Sequence, residues 1–439
     1  MNGGVVIGSG GFGCVFKPSL QCADNDNDNK SKSKYITKVM LKDNAEEEYN
    51  IINKFQSILK KVKNYDNYFL LKNVTKCARL KPLTRKDLKG YSKRCSSLIR
   101  KNITSKNINK SLDKLSAISM PHGGNDMSTY SVTNINNYNV MTKFFNQLSV
   151  LLSKGIVKMN KLRVYHGDIK SSNILVKDCS SRLIDWGLAF YHNKKNGSVH
   201  SDAKDRPFQF NVPPSCVLFN STFKVVYEDF ISQYGNKDKS NEEFVKDYID
   251  EWNKERGTGS LDILNYVYAG LVPDKKMKIT DKHTEPVIIT YISNILDKYT
   301  INGEFKEDKY YNEVYLKNLD LWGTVMSCVN IFDLMNNSKD TLNTIEIVIL
   351  EQIRNMFKYT IENDNTAMNP AVIENYMKEI SELYSTIELK DLVDNTKHKK
   401  ENTHRIKRSS TKKSKTRNSR KTKTTKSSQN TRKIGKKYF

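Results

Sequence analysis

His166-Gly-Asp-Ile-Lys-Ser-Ser-Asn-Ile-Leu175 is the stretch on which the reading of this 439-residue chain turns. An acid (Asp168), a base (Lys170) and an amide (Asn173) fall within eight residues and run into an apolar segment. That pattern makes a compact polar loop on a rigid strand. After a strand-sized gap comes Ile184-Asp-Trp-Gly187, a second carboxylate in a turn. Read singly, Asp168 or Asp185 is more often a loop carboxylate capping a turn. Their order, each following its own apolar segment, points to one site assembled from two loops.

Two further elements lie upstream. Gly8-Ser9-Gly10-Gly11-Phe12-Gly13 precedes Cys14 and Val15. A glycine pattern of this kind opens a dinucleotide-binding turn when a helix follows. Here Val15, Phe16 and a polar loop follow, so the pattern reads as strand, glycine flap, strand. Glycines let backbone amides come close to phosphates. Lys38 then sits inside the β-rich segment Tyr35–Leu41, where an ammonium is costly unless paired or ligand-bound. Glu48, at the start of a helical pattern running to Leu59, is the expected partner, with Glu46 and Glu47 as alternates.

These residue types suit phosphoryl transfer, which depends on positioning and charge stabilisation more than on covalent chemistry. Asp168 would accept a hydroxyl proton, and Lys170 would neutralise charge on the transferring group. Asn173 and Asp185 would supply hard oxygen ligands to magnesium. In this combination the chain resembles the protein kinase superfamily over residues 1 to about 335. GSGGFGCVFKP, MPHGG and HGDIKSSNIL followed by IDWG are most similar to the divergent serine/threonine kinases of large DNA viruses. The resemblance implies an α+β, bilobal fold, with ATP and Mg2+ as cofactors and a protein as substrate. It implies a hinge at Met120, Pro121, His122 and Gly123 holding adenine, and Asp126 on the ribose. It also implies that Asp320, in Leu319-Asp-Leu-Trp-Gly323, is a buried aspartate anchoring the catalytic loop. Lysine two positions after Asp168 is typical of serine/threonine rather than tyrosine kinases.

Departures from the family pattern matter as much. HGD stands where HRD is usual, so no arginine is there to clamp a phosphorylated activation segment, and activity without that phosphorylation is expected. DWG replaces DFG and keeps an aromatic ring. No APE is present, and Val212-Pro-Pro-Ser215 is the stretch offered in its place. Asp185 and Asp320 lie 135 residues apart, which implies an insertion.

The resulting organisation is an N-lobe at 1–119 with a basic insertion at 75–114, a hinge at 120–126, a C-lobe at 127–393 with an insertion around 220–315, and a disordered basic tail at 394–439. The net charge of +25 is concentrated in two places. Lys397–Phe439 carries +17 and Thr75–Lys114 carries +11, leaving the rest at −3. The tail is expected to be disordered by composition. It suits salt-dependent, non-specific nucleic-acid binding, with plain solubilisation as the simpler use. The basic insertion reads as a docking face for acidic substrates or as a solvated loop.

Elsewhere the pattern predicts a helix over Val140–Leu162, a buried helix over Leu319–Leu334, helices at Ile345–Phe357 and Ala371–Tyr384, and a long irregular region from Asn193 to Val314. The longest apolar run, Pro286–Leu296, is shorter than the roughly 18 residues of a membrane span. The first residues show no secretory pattern. The seven cysteines form no CxxC pair and are odd in number, which argues against a disulfide framework and for a reducing, intracellular setting in cytoplasm, nucleus or virion. Two other readings compete: a small-molecule phosphotransferase of the aminoglycoside or choline kinase type, and a pseudokinase scaffold with a nucleic-acid-binding tail.

Overall fold

The computed structural model describes residues 4–23, 32–177, 180–193, 197–234, 240–258, 261–271 and 284–388. The basic tail lies outside them. The first 388 residues form one unit, with a β-rich N-terminal part and a helical remainder.

The N-terminal part is a five-stranded antiparallel sheet in the order β1-β2-β3-β5-β4. The strands are β1 Val5–Ser9, β2 Gly13–Lys17, β3 Tyr35–Leu41, β4 Thr75–Cys77 and β5 Leu115–Pro121. Strand periodicity sends neighbouring side chains to opposite faces. Met40 and Ile118 accordingly join the main core beneath, while Val39, Ala117 and Phe16 join a second core above. Helix α1, Lys42–Leu59, covers the lower face. Its Ala45, Ile52, Phe55 and Leu59 recur at helical spacing and are buried. Asp43 in the first turn faces the positive end of the helix dipole.

The upper face is covered by residues 78–114. This corrects the expectation of a solvated loop. Leu80, Leu83, Tyr91, Leu98, Ile103 and Ile108 are buried against the sheet, and the insertion contributes the short helices α2, Tyr91–Arg94, and α3, Ser96–Ile99. Its basic residues Arg85, Lys89, Lys93, Arg100 and Lys106 face outward. Thr75–Cys77, read as the start of the insertion, is a strand of the sheet. Two disulfides, Cys14–Cys95 and Cys22–Cys77, tie the layer down and overturn the expectation of an unpaired set. Their partners are 81 and 55 residues apart in sequence, so spacing gives no hint of them.

In the helical part, α4 spans Met127–Asn134 and α5 spans Tyr138–Val150. The latter continues through a π turn, Leu151–Ile156, into Val157–Lys161. Phe144, Phe145, Leu148, Leu151, Leu152, Ile156 and Met159 are buried along this rod, as the three-and-four spacing predicts. The predicted buried helix is two helices, Leu316–Met326 and Val329–Asn337. The region expected to be irregular is largely helical: Phe223–Tyr234, Asn241–Arg256, Leu261–Leu271 and Thr284–Tyr299. Its apolar positions are aromatic and widely diluted by charge, as in Phe244, Tyr248 and Trp252, which hides the stripe from a simple count. Ser240 and Glu243 form a capping box that starts the second of these helices. No helix among the described residues is long and apolar enough to cross a membrane.

Candidate active site

Two short strand pairs present the two motif loops. Strand β7, Val164–Tyr165, leads into His166–Asn173, which ends in β8, Ile174–Lys177. Strand β9, Ser180–Leu183, leads into Asp185-Trp-Gly187, which ends in β10, Phe190–Tyr191. β8 pairs with β9 and, on its other side, with β6, Asn125–Asp126, while β7 pairs with β10. Both loops therefore leave the same strand pairs.

Asp320 holds the first loop from below. It is buried in the helix Leu316–Met326 and accepts from the backbone amides of His166 (3.0 Å) and Gly167 (2.9 Å) and from Asn160 Nδ2 (2.7 Å). Three donors satisfy a carboxylate that desolvation would otherwise penalise. The helix can come this close because of Gly323: a Cβ there would lie 2.6 Å from the Ile169 carbonyl oxygen. Trp322 donates from Nε1 to the Phe210 carbonyl at 2.9 Å. His166 is itself buried, with Nε2 on the Ile184 carbonyl (3.0 Å) and Nδ1 accepting from the Asp168 amide (3.3 Å).

Asp168 is the focus of the loop. Lys170 Nζ lies 2.9 Å from Oδ2 and 3.1 Å from Oδ1. Asn173 Nδ2 donates to the Asp168 backbone carbonyl (2.8 Å) and to Oδ2 (2.9 Å). Both side-chain amide hydrogens of Asn173 are thereby committed, and no hydrogen bond to its side-chain oxygen Oδ1 is found among the described residues. Asp185 is exposed and held at φ 64, a strained backbone for a non-glycine residue. A free amide oxygen and an exposed carboxylate are hard donors of the type magnesium takes.

On the sheet side, Lys38 Nζ meets Glu48 Oε2 at 2.6 Å. The alternate Glu46 pairs instead with Lys76. Val15 and Ile118 flank Lys38 in register on β2 and β5. A Cβ on Gly10 would stand 3.9 Å from Lys38 Nζ, so the flap lies over the lysine. Gly8, Ser9, Gly11 and Phe12 complete the flap, with Phe12 exposed at its tip, and Gly13 opens β2. The two halves are linked through rings. Phe55, two turns beyond Glu48 on α1, lies 5.6 Å from Trp186, and Trp186 lies 5.0 Å from His166. Trp186 thus ties the helix carrying Glu48 to the turn carrying Asp185.

In the segment expected to be a hinge, Met120 pairs with Ile36, and the His122 amide donates to the Lys34 carbonyl at 2.8 Å. Burial, with Lys17 and Lys177 nearby, pushes the His122 pKa below its usual value. Asp126 caps α4, accepting from the Thr129 amide and hydroxyl at 2.8 Å each.

Two residues of the site escaped sequence reading. Asn211 donates from Nδ2 to Asp168 Oδ1 at 2.8 Å in a buried setting. Arg206, also buried, donates from Nη2 to the Gly167 carbonyl (2.7 Å) and to Gln209 Oε1 (2.9 Å). Gly167 has φ +67, and a Cβ there would lie 3.2 Å from Arg206 Nη1. The glycine that replaces an arginine therefore leaves room for a guanidinium arriving from the other side. The only sequence signal for either residue is proximity to Val212-Pro-Pro-Ser215. That segment is buried and enters the turn Pro214–Phe219, where Tyr310 donates to Ser215 at 2.8 Å.

Among protein families, the model described as protein tyrosine and serine/threonine kinase matches residues 2–225, just over half of the chain. No curated protein matches in sequence. Among solved structures the chain is similar to one described as the ROP18 kinase domain in complex with AMP-PNP and sucrose. That likeness has 11% identity and a TM-score of 0.37, and covers 87% of this chain and 80% of the other.

Proposed function

Since the chain belongs to the protein tyrosine and serine/threonine kinase family, we propose that it is an active kinase transferring the γ-phosphate of ATP to serine or threonine hydroxyls of protein substrates. The observation that carries this reading is the set of contacts on Asp168. Lys170, Asn173 and Asn211 all converge on one carboxylate, over a loop anchored by Asp320.

In this reading Asp168 receives the proton of the attacking hydroxyl. Asn211 and Asn173 fix its orientation, one on each carboxylate oxygen. Lys170 stands beside it to offset charge on the phosphoryl group in flight. Lys38, oriented by Glu48, holds the nucleotide phosphates beneath the flap. Asn173 and Asp185 would hold magnesium, which neutralises phosphate charge and sets the reacting groups in line. Preorganised charge of this kind needs no rearrangement at the moment of transfer, which is where the rate is gained.

A small-molecule phosphotransferase shares the HGD and IDW patterns. The segment 209–219, buried from Asn211 onward, brings Asn211 onto Asp168 and meets the helix of Asp320, and it favours a protein acceptor in our reading. An acceptor panel separates the two. With labelled ATP and magnesium, the protein reading expects label on serine and threonine of a basic protein and none on kanamycin or choline. Label on the small molecules alone contradicts it.

A further inference from the structure

The layer formed by residues 78–114 grips the hairpin that carries Gly8–Gly13. Arg94 Nη1 donates to the Val6 carbonyl at 3.2 Å. The Ser97 amide donates to Ser9 Oγ at 3.2 Å, and the two serine hydroxyls lie 2.9 Å apart. Ser97 Oγ also lies 3.3 Å from Cys14 Sγ. Cys14, the residue after Gly13, is bonded to Cys95, the residue before α3, with both cysteines fully buried. Cys22, eight residues on, is bonded to Cys77. Both disulfides thus run from the segment 14–22 to the segment 77–95. Their Cα separations, 5.3 and 5.7 Å, are ordinary for the bond.

A glycine flap with several glycines is mobile by default, and its amides must be ordered each time a nucleotide binds. Four contacts and a covalent bond, on Val6, Ser9 and Cys14 of the hairpin, remove part of that cost beforehand. We propose that the 78–114 layer is a clamp that preorganises the nucleotide flap, that Ser97 and Arg94 are positioning residues for it, and that the Cys14–Cys95 bond locks it. This deepens the kinase reading and rests on Gly8–Gly13 being the nucleotide flap.

Opening the lock is a balanced two-electron step. A dithiol such as dithiothreitol delivers two electrons and two protons, the Sγ–Sγ bond breaks, two thiols form, and the dithiol closes to its own disulfide. Cys22 is part-exposed whereas Cys14 and Cys95 are fully covered, so the outer bond is reduced first and the lock later.

The test uses the full chain. Hydrogen exchange of residues 8–15 and the KM for ATP are measured for the oxidised protein, the dithiol-treated protein, Cys95→Ser, Ser97→Ala and Cys22→Ser. The clamp predicts a Cys14–Cys95 cross-linked peptide in non-reducing maps. It predicts faster flap exchange and a roughly three- to tenfold higher KM in Cys95→Ser and in the reduced protein, with kcat little changed. Ser97→Ala should fall in between, and Cys22→Ser should keep the flap protected. If Cys95→Ser does not fold, the reduced wild type carries the same comparison. Equal exchange and equal KM in the oxidised and reduced forms overturn the clamp. If flap exchange follows the disulfide while no phosphate transfer occurs, the clamp stands and the kinase reading falls.

Discussion

Asn211 Nδ2 lies 2.8 Å from Oδ1 of Asp168, so a residue 43 positions downstream fixes one face of the proposed base. The other oxygen is taken by Asn173 and Lys170. Removing the Asn211 contact leaves Asp168 free to turn by a fraction of an ångström. A misplacement of about 1 Å costs about a hundredfold in rate, and a smaller one less. Asn211→Ala is therefore expected to lower kcat by about 10- to 100-fold while KM for ATP stays near the wild-type value, as read by steady-state kinetics. Asn211→Thr, which keeps a donor, should recover part of the loss.

Arg206 connects the segment after Trp186 to the Gly167 carbonyl without a phosphate between them. On the proposed kinase reading, the wild-type protein should therefore keep its activity after phosphatase treatment. Arg206→Met should lose most of it, and phosphorylation should not restore it. Loss of all activity on phosphatase treatment of the wild type contradicts this account of the missing HRD arginine.

Asp320 satisfies three donors from a buried position. Asp320→Ala strands two backbone amides and the Asn160 amide, at about 1–3 kcal/mol each when unmade. Denaturant unfolding should show a loss of at least about 3 kcal/mol, with relaxation partly offsetting the sum. Asp320→Asn, which turns one acceptor into a donor, should sit between Ala and the wild type.

His122 has its pKa lowered from 6.5, chiefly by burial and then by Lys17 and Lys177. The unfolded chain then binds a proton that the folded chain resists. The stability this contributes is complete above about pH 7 and declines as pH falls through 6.5 and below. His122→Gln should flatten the acid side of a plot of unfolding free energy against pH. His200, lowered for the same main cause, should leave a residual slope.

Much of the site was legible because its elements are local. A strand–flap–strand, a lysine in a strand with a carboxylate in the second turn of α1, and an acid–lysine–amide loop each fit within about ten residues. Asp320 was legible through the family resemblance of its five-residue motif, whereas the close approach at Gly323 shows only in the structure. The missing parts depend on distant segments meeting. Asn211 and Arg206 acquire meaning only once the chain after Gly187 folds back on the loop. The core under 78–114 draws on apolar residues spaced irregularly among thirteen basic ones in Thr75–Lys114. Asp126, which only the family resemblance singles out, shows what a motif leaves unsaid: its carboxylate also caps α4 through the Thr129 amide and hydroxyl.

The central claim is that Asp168 drives phosphate transfer to protein hydroxyls. It is tested most directly by labelled ATP with magnesium and several protein acceptors, comparing the wild type with Asp168→Asn. The account predicts label on serine and threonine with the wild type, and a fall of at least about a hundredfold with Asp168→Asn while the fold is unchanged by circular dichroism. Equal transfer by both proteins, or none by the wild type with any protein acceptor, would contradict it.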